Sequence, residues 1–105
     1  MFGILKNLFG NGGGIPEEVL SNPKLTIVDV RTPGEYKGGH IKGSINIPLD
    51  QLEKNLGKLK GKEPIVLCCA SGMRSGSAHR TMSSKGFTNV YNGGGWSSLN
   101  SQLGK

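Results

Sequence analysis

Long apolar runs are missing from this chain of 105 residues. No stretch approaches the roughly 18 consecutive apolar residues a membrane span requires, which excludes stable insertion in a bilayer. Aromatics are sparse at 6%, and none is interleaved with a dense Lys/Arg tract, so no nucleic-acid surface is expected. There are only two cysteines, Cys68 and Cys69, and they are adjacent. Neighbouring cysteines are poorly placed for a disulfide, which excludes a disulfide framework and points to a reducing, cytoplasmic compartment. Two distant histidines, His40 and His79, add no zinc spacing, so neither metal nor other cofactor is expected. Acidic residues stop altogether after Glu63.

What the chain has in excess is glycine and positive charge. Its 18 glycines show no every-third-residue period, which excludes collagen, and they fall between elements as turn residues do. Net charge is +6. Residues 1–52 carry five Lys/Arg against five Asp/Glu, whereas residues 53–105 carry eight against two, so the whole excess lies in the second half. Attraction of a small anionic substrate accounts for that bias. The length allows a single domain, assigned to residues 15–105, and a monomer is expected. Residues 1–14 read as a flexible or weakly amphipathic tail with Phe2, Leu5 and Phe9 loosely on one face. Lys6 lies inside its apolar run and no small-residue cleavage site follows, unlike a secretory signal.

Ile15-Pro16-Glu17-Glu18-Val19-Leu20 predicts a short helix, with proline and two acids at its positive end. Leu25–Val30 is nearly continuous and β-branched, as in a strand covered on both faces of a parallel sheet. Ile45–Ile47 is a brief strand before Pro48. Leu49, Leu52, Leu56 and Leu59 form one face of a helix, with Asp50 and Glu53 at capping-box spacing. Ile65–Cys68 is a second buried strand, and a helix is expected from about Ser75 to Lys85. Phe87–Tyr91 reads as a third short strand, Asn92–Gly95 as a turn, and Trp96 onward as a last helix. Strands alternating with helices predict an α/β fold with a mainly parallel sheet.

The segment that carries chemistry is Cys69-Ala70-Ser71-Gly72-Met73-Arg74-Ser75. A cysteine at the carboxyl end of a buried parallel strand lies where open α/β sheets place their ligands. A tight loop there turns backbone N–H groups inward, and the following helix aims its positive end at the same point. Arg74 adds a permanent charge, and together these lower a thiol pKa. Gly72 permits the curl, while Ser71 and Ser75 can donate to bound oxygens.

This loop resembles the active-site loop of the rhodanese-like domain family. Similarity extends to Asp29-Val30-Arg31-Thr32-Pro33, Glu35-Tyr36, Gly39-His40-Ile41, Gly43–Pro48, Gly86-Phe87 and Gly93-Gly94, over about residues 15–100. The resemblance implies a mainly parallel sheet of about five strands with helices on both faces, and a cysteine that carries sulfur as a persulfide. It implies sulfurtransferase activity, with Cys69 as nucleophile and Ala70, Ser71, Gly72, Met73, Arg74 and Ser75 around the substrate. The donor would be thiosulfate or a similar small anion, and the acceptor cyanide, a thiol or a protein. Counted from Cys68, however, the spacing to Arg74 is that of cysteine phosphatases and arsenate reductases. The Ser71-Gly72-x-Arg74-Ser75 pattern, and the absence of a histidine before Cys68, favour Cys69. A sulfur relay without turnover is a further reading.

Other polar residues have simpler expectations. Asp29 ends a buried strand, where backbone N–H groups or Arg31 can hold it, and Arg31 and Glu35 are spaced to pair. His40 is expected in a turn, His79 on a solvated helix face, and Trp96 either at the pocket mouth or anchoring the last helix.

Overall fold

The computed structural model describes residues 14–104. Apart from Gly14, the expected tail lies outside them. Pro16 precedes a one-turn helix, α1 (Glu17–Leu20), whose first turn carries Glu17 and Glu18. Strand β1 (Thr26–Asp29) is buried over its last three residues. Thr32 then caps α2 (Pro33–Lys37): its hydroxyl accepts the Glu35 N–H while the Glu35 carboxylate accepts the Thr32 N–H. Strand β2 (Ile45–Asn46) follows.

The helix expected around Asp50–Leu59 is instead two 3₁₀ turns, Leu49–Gln51 and Glu53–Asn55, running into α3 (Leu56–Leu59). None of the three has a side-chain cap, so the Asp50/Glu53 capping box does not form. Leu49–Leu52 and Leu56–Leu59 are three-residue spacings, which share a face in a 3₁₀ turn as well as in an α-helix. Leu52, Leu56 and Leu59 are buried all the same.

Strand β3 (Ile65–Cys69) is buried at all of its positions. Helix α4 (Met73–Ser84) begins two residues before the expected start, and strand β4 (Val90–Gly95) runs directly into α5 (Trp96–Gln102). The sheet order is β2-β1-β3-β4, all parallel. Among the described residues it has four strands, not the five the resemblance implied. The stretch ahead of β1 forms α1 and turns, with backbone bonds such as Leu25 N–H to Asn22 O, and adds no strand.

The expected turn at Asn92–Gly95 is also corrected, because these residues are the second half of β4. A methyl group on Gly93 would lie 2.6 Å from Val66 Cγ1 and 2.8 Å from the Leu67 carbonyl oxygen. Glycine is therefore required there by close strand–strand approach, not by a turn. Pairing shifts by one residue between Leu67↔Asn92 and Cys69↔Gly95, a bulge beside the end of β3.

Apolar side chains pack on both faces of the sheet. Ile65, Leu67 and Cys69 join Val28, Val30, Leu52, Leu59, Ala78 and Met82. Val66 and Cys68 join Ile15, Val19, Ile27, Ile41 and Leu99. Burying one such Leu or Ile contributes about 1.5–3 kcal/mol. Since successive strand residues face opposite ways, the two adjacent cysteines enter different cores.

Candidate active site

Because all strands are parallel, their carboxyl ends share one edge of the sheet, and the segments after β1, β3 and β4 gather there. Cys69 ends β3 and is 1% exposed. Gly72, with φ +103°, is in the left-handed region that favours glycine, and it turns the chain sharply into α4. The curl brings the Gly72 N–H to 3.0 Å and the Ser75 N–H to 3.3 Å from Cys69 Sγ. Ser75 Oγ lies 3.4 Å from the same sulfur.

Burial opposes ionisation of Cys69. The Ser75 hydroxyl and the N–H groups of Ser75, Gly72 and Ser71 outweigh it, and the thiol falls below its ordinary value of 9.0. Hydrogen bonds therefore lead this effect, including those from the inward N–H groups the loop was expected to supply, and the Arg74 charge is not among its leading causes. Ser75 is itself fixed: its hydroxyl donates to Asn92 Oδ1 at 2.7 Å, and Asn92 Oδ1 also accepts the Gly94 N–H at 2.9 Å. The β4 bulge thus aims a side-chain amide at the residue beneath the sulfur.

The other expected site residues divide by position. Ala70 and Ser71 are exposed on the outside of the loop, and Gly72 and Ser75 are buried inside it. Met73 is 82% exposed on the first turn of α4. Arg74 is half-buried, and its two terminal nitrogens donate to the two oxygens of Glu35 at 2.7 and 2.9 Å. Arg74, beside it, leads in holding the Glu35 carboxyl down to about 2, helped by the Thr32 N–H.

Glu35 is a partner that spacing alone missed, since it is 39 residues away, and Arg31 contacts only its carbonyl oxygen. Arg31 instead grips the fully buried Asp29, with its Nη2 at 2.8 Å from Oδ2, while its guanidinium lies 4.8 Å from the Trp96 ring centroid. Trp96 packs into the core containing Leu99, anchoring the last helix. His40 stacks on Tyr36 at 3.7 Å, and its Nδ1 lies 2.7 Å from the Tyr36 carbonyl. His79 is half-buried with Nε2 3.1 Å from the Val90 carbonyl, not on a solvated face.

Cys68 is equally buried but points to the other side of the sheet. Burial first, and the Asp29 charge second, push its thiol up to about 12. Among the described residues no group of three His, Cys, Asp or Glu is placed to hold a metal ion. Nor is any helix among them long and apolar enough to cross a membrane. A groove of about 420 Å³ beside β2, lined by residues such as Ile45, Pro48, Lys58 and Lys62, includes none of the loop residues.

Fold and loop together define an α/β protein that holds one buried thiol in a cradle of backbone N–H groups. The chain belongs to the rhodanese-like domain family, whose model matches residues 16–102. It is 42% identical over 69 residues to the uncharacterized protein YqhL of Bacillus subtilis, covering 66% of this chain and 55% of that protein. Its identity with thiosulfate:glutathione sulfurtransferase of Saccharomyces cerevisiae is 40% over 82 residues, 66% of this chain and 59% of that protein. The chain thus spans little more than half the length of these two relatives. A crystal structure of a rhodanese-related protein from Thermoplasma volcanium superposes with a TM-score of 0.70 at 31% identity, covering 89% of this chain and 90% of that one.

Proposed function

We propose that this chain is a sulfurtransferase that carries sulfane sulfur as a persulfide on Cys69. The observation that carries the reading is the cradle around Cys69 Sγ, with the Gly72 and Ser75 N–H groups at 3.0 and 3.3 Å. A cradle of this kind favours the thiolate, which is the nucleophile, and equally the anionic persulfide that follows. The Cys69 thiolate attacks the outer sulfur of a donor such as thiosulfate; the new Sγ–S bond forms as the donor's S–S bond breaks, and sulfite leaves with the electron pair. An acceptor thiolate, or cyanide, then attacks the outer sulfur and regenerates the Cys69 thiolate. Neither step needs an external oxidant or reductant.

Ala70, Ser71, Gly72, Met73, Arg74 and Ser75 surround the transferred sulfur in this reading. The name of the yeast relative supports a thiol acceptor. A phosphatase reading through Cys68 is disfavoured, because that side chain packs with Val66 and Leu99 on the opposite face. Adjacent cysteines committed to opposite faces of the sheet form no structural disulfide, which suits a reducing compartment such as the cytoplasm.

Intact-protein mass spectrometry tests the proposal on wild type, Cys69→Ser and Cys68→Ser after incubation with excess thiosulfate. Wild type and Cys68→Ser are expected to gain one sulfur that cyanide removes, and Cys69→Ser none. Loading that survives in Cys69→Ser, or no loading in any variant, overturns it.

A further inference from the structure

Arg74, the arginine of the Cys69 loop, is already engaged. Arg74, which could take the sulfonate end of a thiosulfate, has both terminal nitrogens on the Glu35 carboxylate. Glu35 Oε1 in turn accepts the Thr32 N–H at 3.0 Å and the Thr32 hydroxyl at 3.1 Å. The pair therefore joins the capped first turn of α2 to the first turn of α4, and its net charge is zero. Next in sequence to Arg74, Met73 presents an almost fully exposed thioether.

We infer that Glu35 sets donor specificity: by holding Arg74 it makes the loop mouth discriminate against dianionic sulfur donors and favour the monoanionic persulfides of small thiols. This rests on sulfur transfer through Cys69 as proposed above. A dianion such as thiosulfate must approach the Glu35 carboxylate and compete with it for Arg74. A small-thiol persulfide such as that of cysteine brings one net negative charge, and its persulfide sulfur is what the cradle can hold. In the step itself the bound anion R–S–S⁻ takes a proton from solvent, and the Cys69 thiolate attacks the terminal sulfur of the resulting R–S–SH. The Sγ–S bond forms, the donor S–S bond breaks, and R–S⁻ leaves while the proton stays on the transferred sulfur. Glu35 touches no reacting atom; it is a specificity residue acting through Arg74. Its carboxyl, held down to about 2, stays ionised at any working pH.

Glu35→Gln tests this, because glutamine keeps an oxygen for the Thr32 N–H and removes the charge. Thiosulfate binding is measured by calorimetry in the Cys69→Ser protein, which needs no turnover, with and without Glu35→Gln. Affinity is expected to rise about ten-fold on the substitution, and the gain to disappear when Arg74→Gln is added or salt is raised to about 1 M. With Cys69 intact, the ratio of kcat/KM for thiosulfate to that for cysteine persulfide is expected to rise about ten-fold. An affinity gain below two-fold, a gain that persists without Arg74, or an unchanged ratio overturns the inference. Persulfide loading of wild type reads separately on sulfur transfer itself, so the two failures are distinguishable.

Discussion

Ser75→Ala isolates the one side chain in the sulfur cradle. In the neutral state the Cys69 S–H points toward Ser75 Oγ at 3.4 Å, and the Ser75 hydroxyl donates to Asn92 Oδ1 at 2.7 Å. On ionisation the sulfur loses its proton, and the hydroxyl can turn to donate to it. A hydrogen bond to a charged group contributes about 1.5–3 kcal/mol, or about one to two pKa units. The hydroxyl must give up Asn92 to make that bond, which removes part of the gain. Ser75→Ala is therefore expected to raise the Cys69 pKa by about one unit. Its backbone N–H, 3.3 Å from the sulfur, is retained in the variant.

Thiolate absorbance near 240 nm, followed against pH in wild type and Ser75→Ala, reads this shift. Cys68 does not confuse the titration, because its thiol is pushed up to about 12. The rate of alkylation by iodoacetamide, measured over the same pH range, should shift in parallel. A Cys69 pKa in Ser75→Ala that is unchanged or lower would refute the view that this hydroxyl supports the thiolate. It would leave the Gly72, Ser71 and Ser75 N–H groups as the whole cause.

Two further expectations follow from the same sheet. Gly93→Ala places a methyl group 2.6 to 2.9 Å from Val66, the Leu67 carbonyl and Leu99; the carbonyl belongs to the paired strand and cannot swing aside. A loss of about 1–3 kcal/mol is expected in urea unfolding, and a loss under about 0.5 kcal/mol would show that β4 is not pressed against β3 as described. Cys68 makes stability pH-dependent. Its folded pKa of about 12 lies above the ordinary 9.0, so its contribution is fully present below pH 9 and is lost as pH rises toward 12. Between pH 9 and 10.5, wild type should lose about 1–2 kcal/mol more than Cys68→Ala over the same interval; equal losses would mean that the Cys68 thiol titrates normally.

What was legible in the sequence was local. β1 and β3 announce themselves by continuous β-branched and apolar residues, and both are where the pattern put them, to within a residue or two. The cradle is legible for the same reason, since Cys69, Gly72 and Ser75 lie within one short loop. Features set by distant neighbours were not. Glycines lower strand propensity, so Asn92–Gly95 reads as a turn, and only the nearness of Val66 and Leu99 makes Gly93 a strand residue. Glu35 and Arg31 have helical pairing distance in sequence, yet the Glu35 carboxylate crosses to Arg74 because the parallel sheet brings the starts of α2 and α4 to one edge. Asn92 carries no signal as a site residue until the bulge in β4 is known.

The choice between the two adjacent cysteines shows how a packing rule becomes a chemical one. Both thiols are almost fully buried, so exposure cannot separate them. Alternation along β3 can: Ile65 and Leu67 commit Cys69 to the face of α4, and Val66 commits Cys68 to the face of Leu99. On the first face the sulfur meets inward N–H groups and its pKa falls, whereas on the second it meets apolar side chains and the Asp29 carboxylate and its pKa rises. A slip of one residue in pairing would exchange the two environments and also turn every apolar side chain of β3 to the wrong core. The strand is buried on both faces, so such a slip would disturb two cores at once. Which of the two sulfurs enters the cradle is thus enforced by Ile65, Val66 and Leu67, although the groups that hydrogen-bond it come from Gly72 and Ser75.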